Sequence, residues 1–100
     1  MSKAQSTFGT IIGVTHDASQ AAVPGASVTI RSLEDSSVRS TTADQNGSFE
    51  FVNLKAGSYA LSAQAEGFAE FQVPSAELKA RQTLRIDVTL QVKSQVTTVE

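Results

Sequence analysis

Apolar residues recur at every second position along most of this chain. Val28 and Ile30 alternate with Ser27, Thr29 and Arg31, and Phe49 and Phe51 with Ser48, Glu50 and Val52. Tyr59, Leu61 and Ala63 alternate with Ala60, Ser62 and Gln64. Leu84, Ile86, Val88 and Leu90 alternate with Arg85, Asp87, Thr89 and Gln91. A period of two places each apolar set on one face of a strand and leaves the other face wet. The frequent serine, threonine and valine suit strands better than helices. The pattern predicts strands over 9–16, 26–33, 37–43, 48–53, 58–65, 69–74 and 83–91, with a short eighth near 95–99. The stretch "PSAELKAR" (74–81) is the one helix-compatible piece, and it is too short to stand alone. It is expected as a loop or a single turn.

Turn signals separate these runs. In "VPGA" (23–26), Pro24 presets φ and Gly25 supplies the positive φ of a type II turn. "DQNG" (44–47) ends in Asn-Gly, a strong hairpin signal expected to set the register of the Phe49/Phe51 strand. Gly57 is expected to do the same for the Tyr59/Leu61 strand, and Gly67 opens the next run. Short strands at this spacing imply an all-β, seven-stranded β-sandwich. A one-residue slip would turn Phe49, Phe51, Tyr59 and Leu61 out to water.

Composition narrows the function classes. The chain has 100 residues, 40% hydrophobic and 18% charged, the balance of one globular domain. Its net charge of −2 offers neither the basic stripe of a nucleic-acid binder nor a polybasic membrane patch. Cysteine is absent, which removes disulfides, thiolate metal sites and cysteine nucleophiles. No apolar run approaches the roughly 20 residues of a membrane-spanning helix. The opening "MSKAQSTFG" reads as a start and short leader before a mature end near Ala4-Gln5.

Several motifs together carry a resemblance. An opening strand "GTIIGVTHD" ends in Asp17, followed by Val23-Pro24-Gly25-Ala26. Then come Asp44…Gly47-x-Phe49-x-Phe51, Leu54…Gly57-x-Tyr59-x-Leu61, Gly67-Phe68 and "LRIDVTLQV". Over residues 8–92 the chain resembles the carboxypeptidase regulatory-like domain. That family is a transthyretin-like (prealbumin-like) Greek-key β-sandwich, close to the Cna B-type repeats of surface adhesins. The resemblance implies an accessory, non-catalytic domain without a cofactor. Such domains occur beside peptidases, in adhesin stalks, in polysaccharide-binding proteins and at the N-terminus of TonB-dependent outer-membrane receptors. The expected organisation is an N-terminal tail (1–7), the sandwich (8–92), and a C-terminal strand or linker (93–100) toward a downstream domain. The receptor context is the first reading: an exported, periplasmic module whose partner is a protein or the receptor's own following domains. The second is a carbohydrate-binding accessory domain of an exported protein.

The opening strand departs from a plain pattern. The pattern of the resembled family puts Ile11, Gly13 and Thr15 on the inward face, which turns Ile12, Val14 and His16 outward, where polar residues are commoner. Either a loop or the N-terminal tail covers them, or Ile12 and Val14 form an apolar strip that meets a partner. As an edge strand, this segment would also accept an added strand.

Candidate chemistry is sparse. His16, the single histidine, sits beside Asp17, but no Gly-x-Ser-x-Gly elbow supplies a nucleophile. Hydroxyisourate hydrolases share the transthyretin-like fold but use several histidines and a C-terminal Tyr-Arg-Gly-Ser. This chain ends Thr98-Val99-Glu100, so that activity is not carried over. Glu34-Asp35 point apart in an extended chain and suit a solvated loop. Asp44, Asn46 and Gly47 resemble part of a Ca²⁺ loop, with Thr42 before them and Asn53 in the closing position, but they double as a turn. The intramolecular isopeptide bond of Cna B-type domains needs a lysine on the opening strand, which is lacking here. The position of its acid is Ala63, which leaves Asp87 without partners. For sugars, Phe8 is the aromatic left outside the core alternation, while the resemblance implies that Phe68 caps the core, and Phe71 is expected to lie inward with Val73. No catalytic, cofactor or metal site is expected.

Overall fold

The computed structural model describes residues 7–92. Eight strands form in chain order: β1 (Gly9–Asp17), β2 (Ser27–Ser32), β3 (Val38–Thr42), β4 (Ser48–Leu54), β5 (Gly57–Gln64), β6 (Phe71–Leu78), β7 (Thr83–Arg85) and β8 (Val88–Leu90). One sheet runs β4-β1-β7, with β8 pairing β1 further along; the other runs β3-β2-β5-β6. The two pack face to face as the expected Greek-key sandwich. Among the described residues no helix is long and apolar enough to cross a membrane.

The period-two reading selects most of the core, although Leu84 and Ile86 are only half-buried against it. Ile11, Val28, Ile30, Phe49, Phe51, Tyr59, Leu61, Ala63, Val88 and Leu90 are all buried. Phe49 and Phe51 meet edge to face, ring centroids 6.2 Å apart. Phe68, Phe71 and Val73 pack against this cluster from its margin, as expected.

Connectivity differs from expectation in ways that share a cause. Asn46-Gly47 does not close a hairpin, because β3 and β4 belong to opposite sheets. Gly57 likewise sits where the chain crosses from β4 to β5 in the other sheet. Turn residues fix local φ and ψ, but they do not decide which sheet the outgoing strand joins. The true hairpins are β2–β3 and β5–β6. β1 is not an edge: it pairs antiparallel with β4 and parallel with β7 and β8. Its backbone is therefore occupied on both sides, and the expected strand addition there is overturned.

Three segments also change shape. The 69–74 strand continues through Pro74 to Leu78, so 74–78 is neither loop nor turn. β6 is an edge strand, and its register with β5 shifts between Tyr59↔Ala76 and Leu61↔Val73. Pro74, lacking an N–H, falls in this bulge, a position an edge strand tolerates. The run 83–91 splits at Ile86-Asp87, giving eight strands where seven were expected. There the Ile86 carbonyl leans over Gly13, where a Cβ would lie 1.8 Å from its oxygen. A second shift, between Gly9↔Leu54 and Ile11↔Phe51, bulges β4 at Val52-Asn53. Asn53 takes φ +58 there, and Leu54 returns to the core. The eighth strand expected near 95–99 lies outside the described residues.

Thr15 locks two crossings to the central strand. It is fully buried. Its N–H donates to Gly47 O (2.7 Å), and its carbonyl accepts from Val23 N–H (3.0 Å). Its hydroxyl proton faces two carbonyls, Val23 O at 2.8 Å and Gly47 O at 3.1 Å. Gly47 (φ +79) comes so close that a Cβ would sit 2.4 Å from Thr15 O.

This contact can be separated from backbone strain. Gly25 has the same φ of +79, with nothing within 4 Å of where its Cβ would stand. Gly25→Ala is expected to cost about 1–2 kcal/mol in urea denaturation, and Gly47→Ala clearly more. Thr15→Val, which keeps the shape but removes the hydroxyl, is expected to cost about 1–3 kcal/mol through the stranded Val23 carbonyl. Equal losses for the two glycines would refute the lock.

Candidate functional site

The outer face of β1 places Ile12 and Val14 as the sequence suggested, both half-buried. Ile12 lies between Glu50 on β4 and Arg85 on β7; Val14 lies beside Ser48. Both residues border a shallow groove of about 510 Å³ shared with Glu50 and Arg85. Arg85 is held by Asp87 through Nε at 3.0 Å. Of the N-terminal tail (1–7) invoked as a cover, residues 1–6 lie outside the described residues.

The acid and base candidates do not converge. His16 Nε2 is 3.0 Å from Thr89 Oγ1 on the neighbouring strand. Asp17 Oδ1 instead accepts from Ser19 Oγ (2.7 Å), Ser19 N–H (2.9 Å) and Ala21 N–H (3.0 Å). These bonds, the Ser19 hydroxyl first, hold its carboxyl below the usual carboxylate range. Asp44 Oδ1 accepts from Asn46 N–H (2.9 Å) and Ser48 N–H (3.0 Å), the geometry of an Asx turn. Asn53, the would-be closing ligand, stands at the far end of β4. Asp87 is spent on Arg85, and Ala63 is wholly buried among apolar neighbours. Phe8 is 47% exposed before the first strand.

Sequence reasoning missed one concavity. The β2–β3 loop and the β4–β5 loop meet at one end of the sandwich around a cleft of about 310 Å³. Its floor is Ile30, Leu54 and Tyr59, all buried, and its rim carries Glu34, Asp35, Arg39 and Lys55. Arg39 reaches from β3 to the bulge in β4, where its Nη1 donates to Val52 O at 2.8 Å. The Tyr59 hydroxyl donates to Lys55 O at 2.6 Å. Glu34-Asp35 do lie in a loop, as expected: Asp35 Oδ1 accepts from Ser37 N–H (2.9 Å), and this bond leads the causes that lower its pKa. No single motif marks this cleft, because its two loops are about twenty residues apart and meet only through the sheet crossing.

Two titrations test this electrostatic reading. Burial, followed by the charge of Asp35, raises the Tyr59 pKa above its usual value near 10. A raised phenol stabilises the fold fully below its usual value, and the benefit is lost as pH climbs from there through the higher folded-state pKa. Tyr59 is the single tyrosine, so absorbance at 295 nm is expected to show its ionisation at higher pH in the native protein than in denaturant, with Asp35→Asn narrowing the gap. Asp17 has the opposite sign: its stabilisation is present at neutral pH and lost as pH falls below about 3.9. Asp17→Ala is expected to melt below the wild type at pH 7, with the difference shrinking toward pH 2. Matching Tyr59 midpoints in both states, or an unchanging Asp17 difference, would overturn these assignments.

Comparison with known proteins agrees with this architecture. No curated protein matches the chain in sequence. Among solved structures, the Bacillus anthracis TIE protein is similar at TM-score 0.73 and 16% identity, over 86% of this chain and 17% of that one. A streptococcal ancillary pilin gives TM-score 0.68 at 17% identity, over 90% and 34%. A candidate carbohydrate-binding protein from Bacteroides uniformis gives 0.67 at 16%, over 82% and 40%. The chain thus spans less than half the length of each, and at these identities the likeness is one of fold. Residues 10–91 match the carboxypeptidase regulatory-like domain, and the chain belongs to that family.

Proposed function

We propose that this domain is a non-catalytic spacing and interaction module of an exported protein, namely the N-terminal periplasmic domain of a TonB-dependent outer-membrane receptor. Residues 8–92 form the module, 1–7 a tail, and 93–100 a strand or linker into the receptor's next domain. The outer face of β1 carries this reading. Ile12 and Val14 stand half-exposed on a strand paired on both sides, so a partner meets their side chains, not a free backbone edge. Of the residues weighed as catalytic candidates, His16 bonds Thr89 while Asp17 and Asp35 bond the backbone of their own turns. Ile12 and Val14 dock the following domain of the same receptor.

A carbohydrate-binding accessory role is the second reading. It is favoured by the half-exposed ring of Phe8 and by the fold shared with the Bacteroides uniformis protein.

The domain and the polypeptide encoded after Glu100 are to be expressed separately and mixed. They are expected to co-purify, and Ile12→Lys or Val14→Lys is expected to abolish the complex while melting stays near wild type. Undiminished co-purification by both variants would sink the strip as the interface. Retardation of the domain by polysaccharide in affinity electrophoresis, lost in Phe8→Ala, would replace the first reading with the second.

A further inference from the structure

The strand that opens the domain and the strands that close it run side by side in the same direction. β1 pairs parallel with β7 through Thr10↔Thr83, Ile11↔Leu84 and Ile12↔Arg85, and with β8 through Thr15↔Val88, His16↔Thr89 and Asp17↔Leu90. The chain therefore enters the sheet at Gly9 and leaves it at Leu90, beside Asp17 at the far end of β1. At roughly 3.3 Å per residue these points lie about 26 Å apart. Pulling the two ends apart drives β1 and the β7–β8 run past each other along their length. Every hydrogen bond between them is then strained at once, Thr10 N–H to Gln82 O (2.9 Å) and Ile86 N–H to Ile12 O (2.8 Å) included. A hairpin opened from its free end loses its bonds one by one. Two glycines also key the pair. A Cβ on Gly9 would stand 2.8 Å from Gln82 O, and one on Gly13 1.8 Å from Ile86 O. Both carbonyls thus seat where β1 carries no side chain. A slip of one residue would turn Ile11 out to water. A slip of two would bring Ile11 and Thr15 to the two notches, where no Cβ fits. The strands do not slide by steps; they part outright or hold.

We propose that this domain is a tension-carrying link, in which the parallel clamp of β1 on β7 and β8, keyed at Gly9 and Gly13, transmits a pull from one end of the sandwich to the other. β4 holds the opposite flank of β1, from Gly9↔Leu54 to Val14↔Ser48, and Thr15 adds its bonds to Val23 and Gly47, so β1 does not leave alone. The β3-β2-β5-β6 sheet lies outside the line of force. No disulfide reinforces the clamp, since the chain has no cysteine. This role rests on the spacing half of the proposed function and on no partner of Ile12 or Val14.

The test pulls single molecules of the full chain at several constant speeds, first by handles joined to its two ends. In a second geometry the handles join Lys55→Cys and Lys79→Cys, both exposed, in a chain with no other cysteine. These positions flank the open end of the β5–β6 hairpin, where Gly57 pairs with Leu78, so force there peels the strands apart bond by bond. Pulling by the ends is expected to need about twofold the force or more. Its dependence on speed is expected to place the rupture within one residue's rise, about 3.3 Å, before any slip. Ile86→Pro removes the donor to Ile12 O and is expected to lower the end-to-end force by about half. Arg85→Pro sets the same ring where the alternation of the ladder turns the amide away from β1, and is expected to keep the wild-type force. Equal forces in the two geometries, or equal forces for the two proline variants, would overturn the proposal. The two geometries decide the matter even where Ile86→Pro does not fold. A weak end-to-end response condemns this link alone, whereas undiminished co-purification of Ile12→Lys and Val14→Lys condemns the β1 strip alone.

Discussion

The buried hydroxyl and backbone of Thr15 hold the sandwich in its topology. The chain passes between sheets at 18–26, at 43–47, at 55–56 and at 79–82, and each passage must bring its carbonyls and amides out of water without leaving them unpaired. Thr15 serves the first two together, since Val23 and Gly47 both bond to it. It sits on the strand that also pairs with β4, β7 and β8. One residue therefore joins the sheet ladder to the crossings that bring β2 and β4 to their places. The close approach exists because Gly47 has no Cβ to collide with the Thr15 carbonyl.

Most of the fold was legible in the sequence because burial in a sandwich follows strand periodicity. The alternation at Val28/Ile30, Phe49/Phe51 and Tyr59/Leu61/Ala63 maps directly onto the inward face. Sheet membership was not legible. Asn46-Gly47 specifies a tight reversal, yet the strand that leaves it pairs with β1, because Phe49 and Phe51 find their partners there. β1 was considered as an edge strand, but its position in the sheet is set by non-local pairing with residues 83–90. The strand expected to end at 74 runs on through Pro74, because proline's missing donor costs little where an edge strand is bulged.

The candidate chemistry divides in the same way. The Asx turns at Asp17 and Asp44 could be read from spacing, since aspartate followed two residues later by an available amide is a local arrangement. The cleft could not. It needs the Asn53 bulge to lift the rim, Arg39 to reach across from the other sheet, and Tyr59 to close the floor. Each is a consequence of the assembled sandwich, with no trace in any one segment.

The bulge at Pro74 reaches beyond the geometry of one strand. The β3-β2-β5-β6 sheet has two margins, and endless stacking of copies into a fibre requires both to be open. Proline interrupts one of them, so edge-to-edge association through this sheet stops after a single pairing.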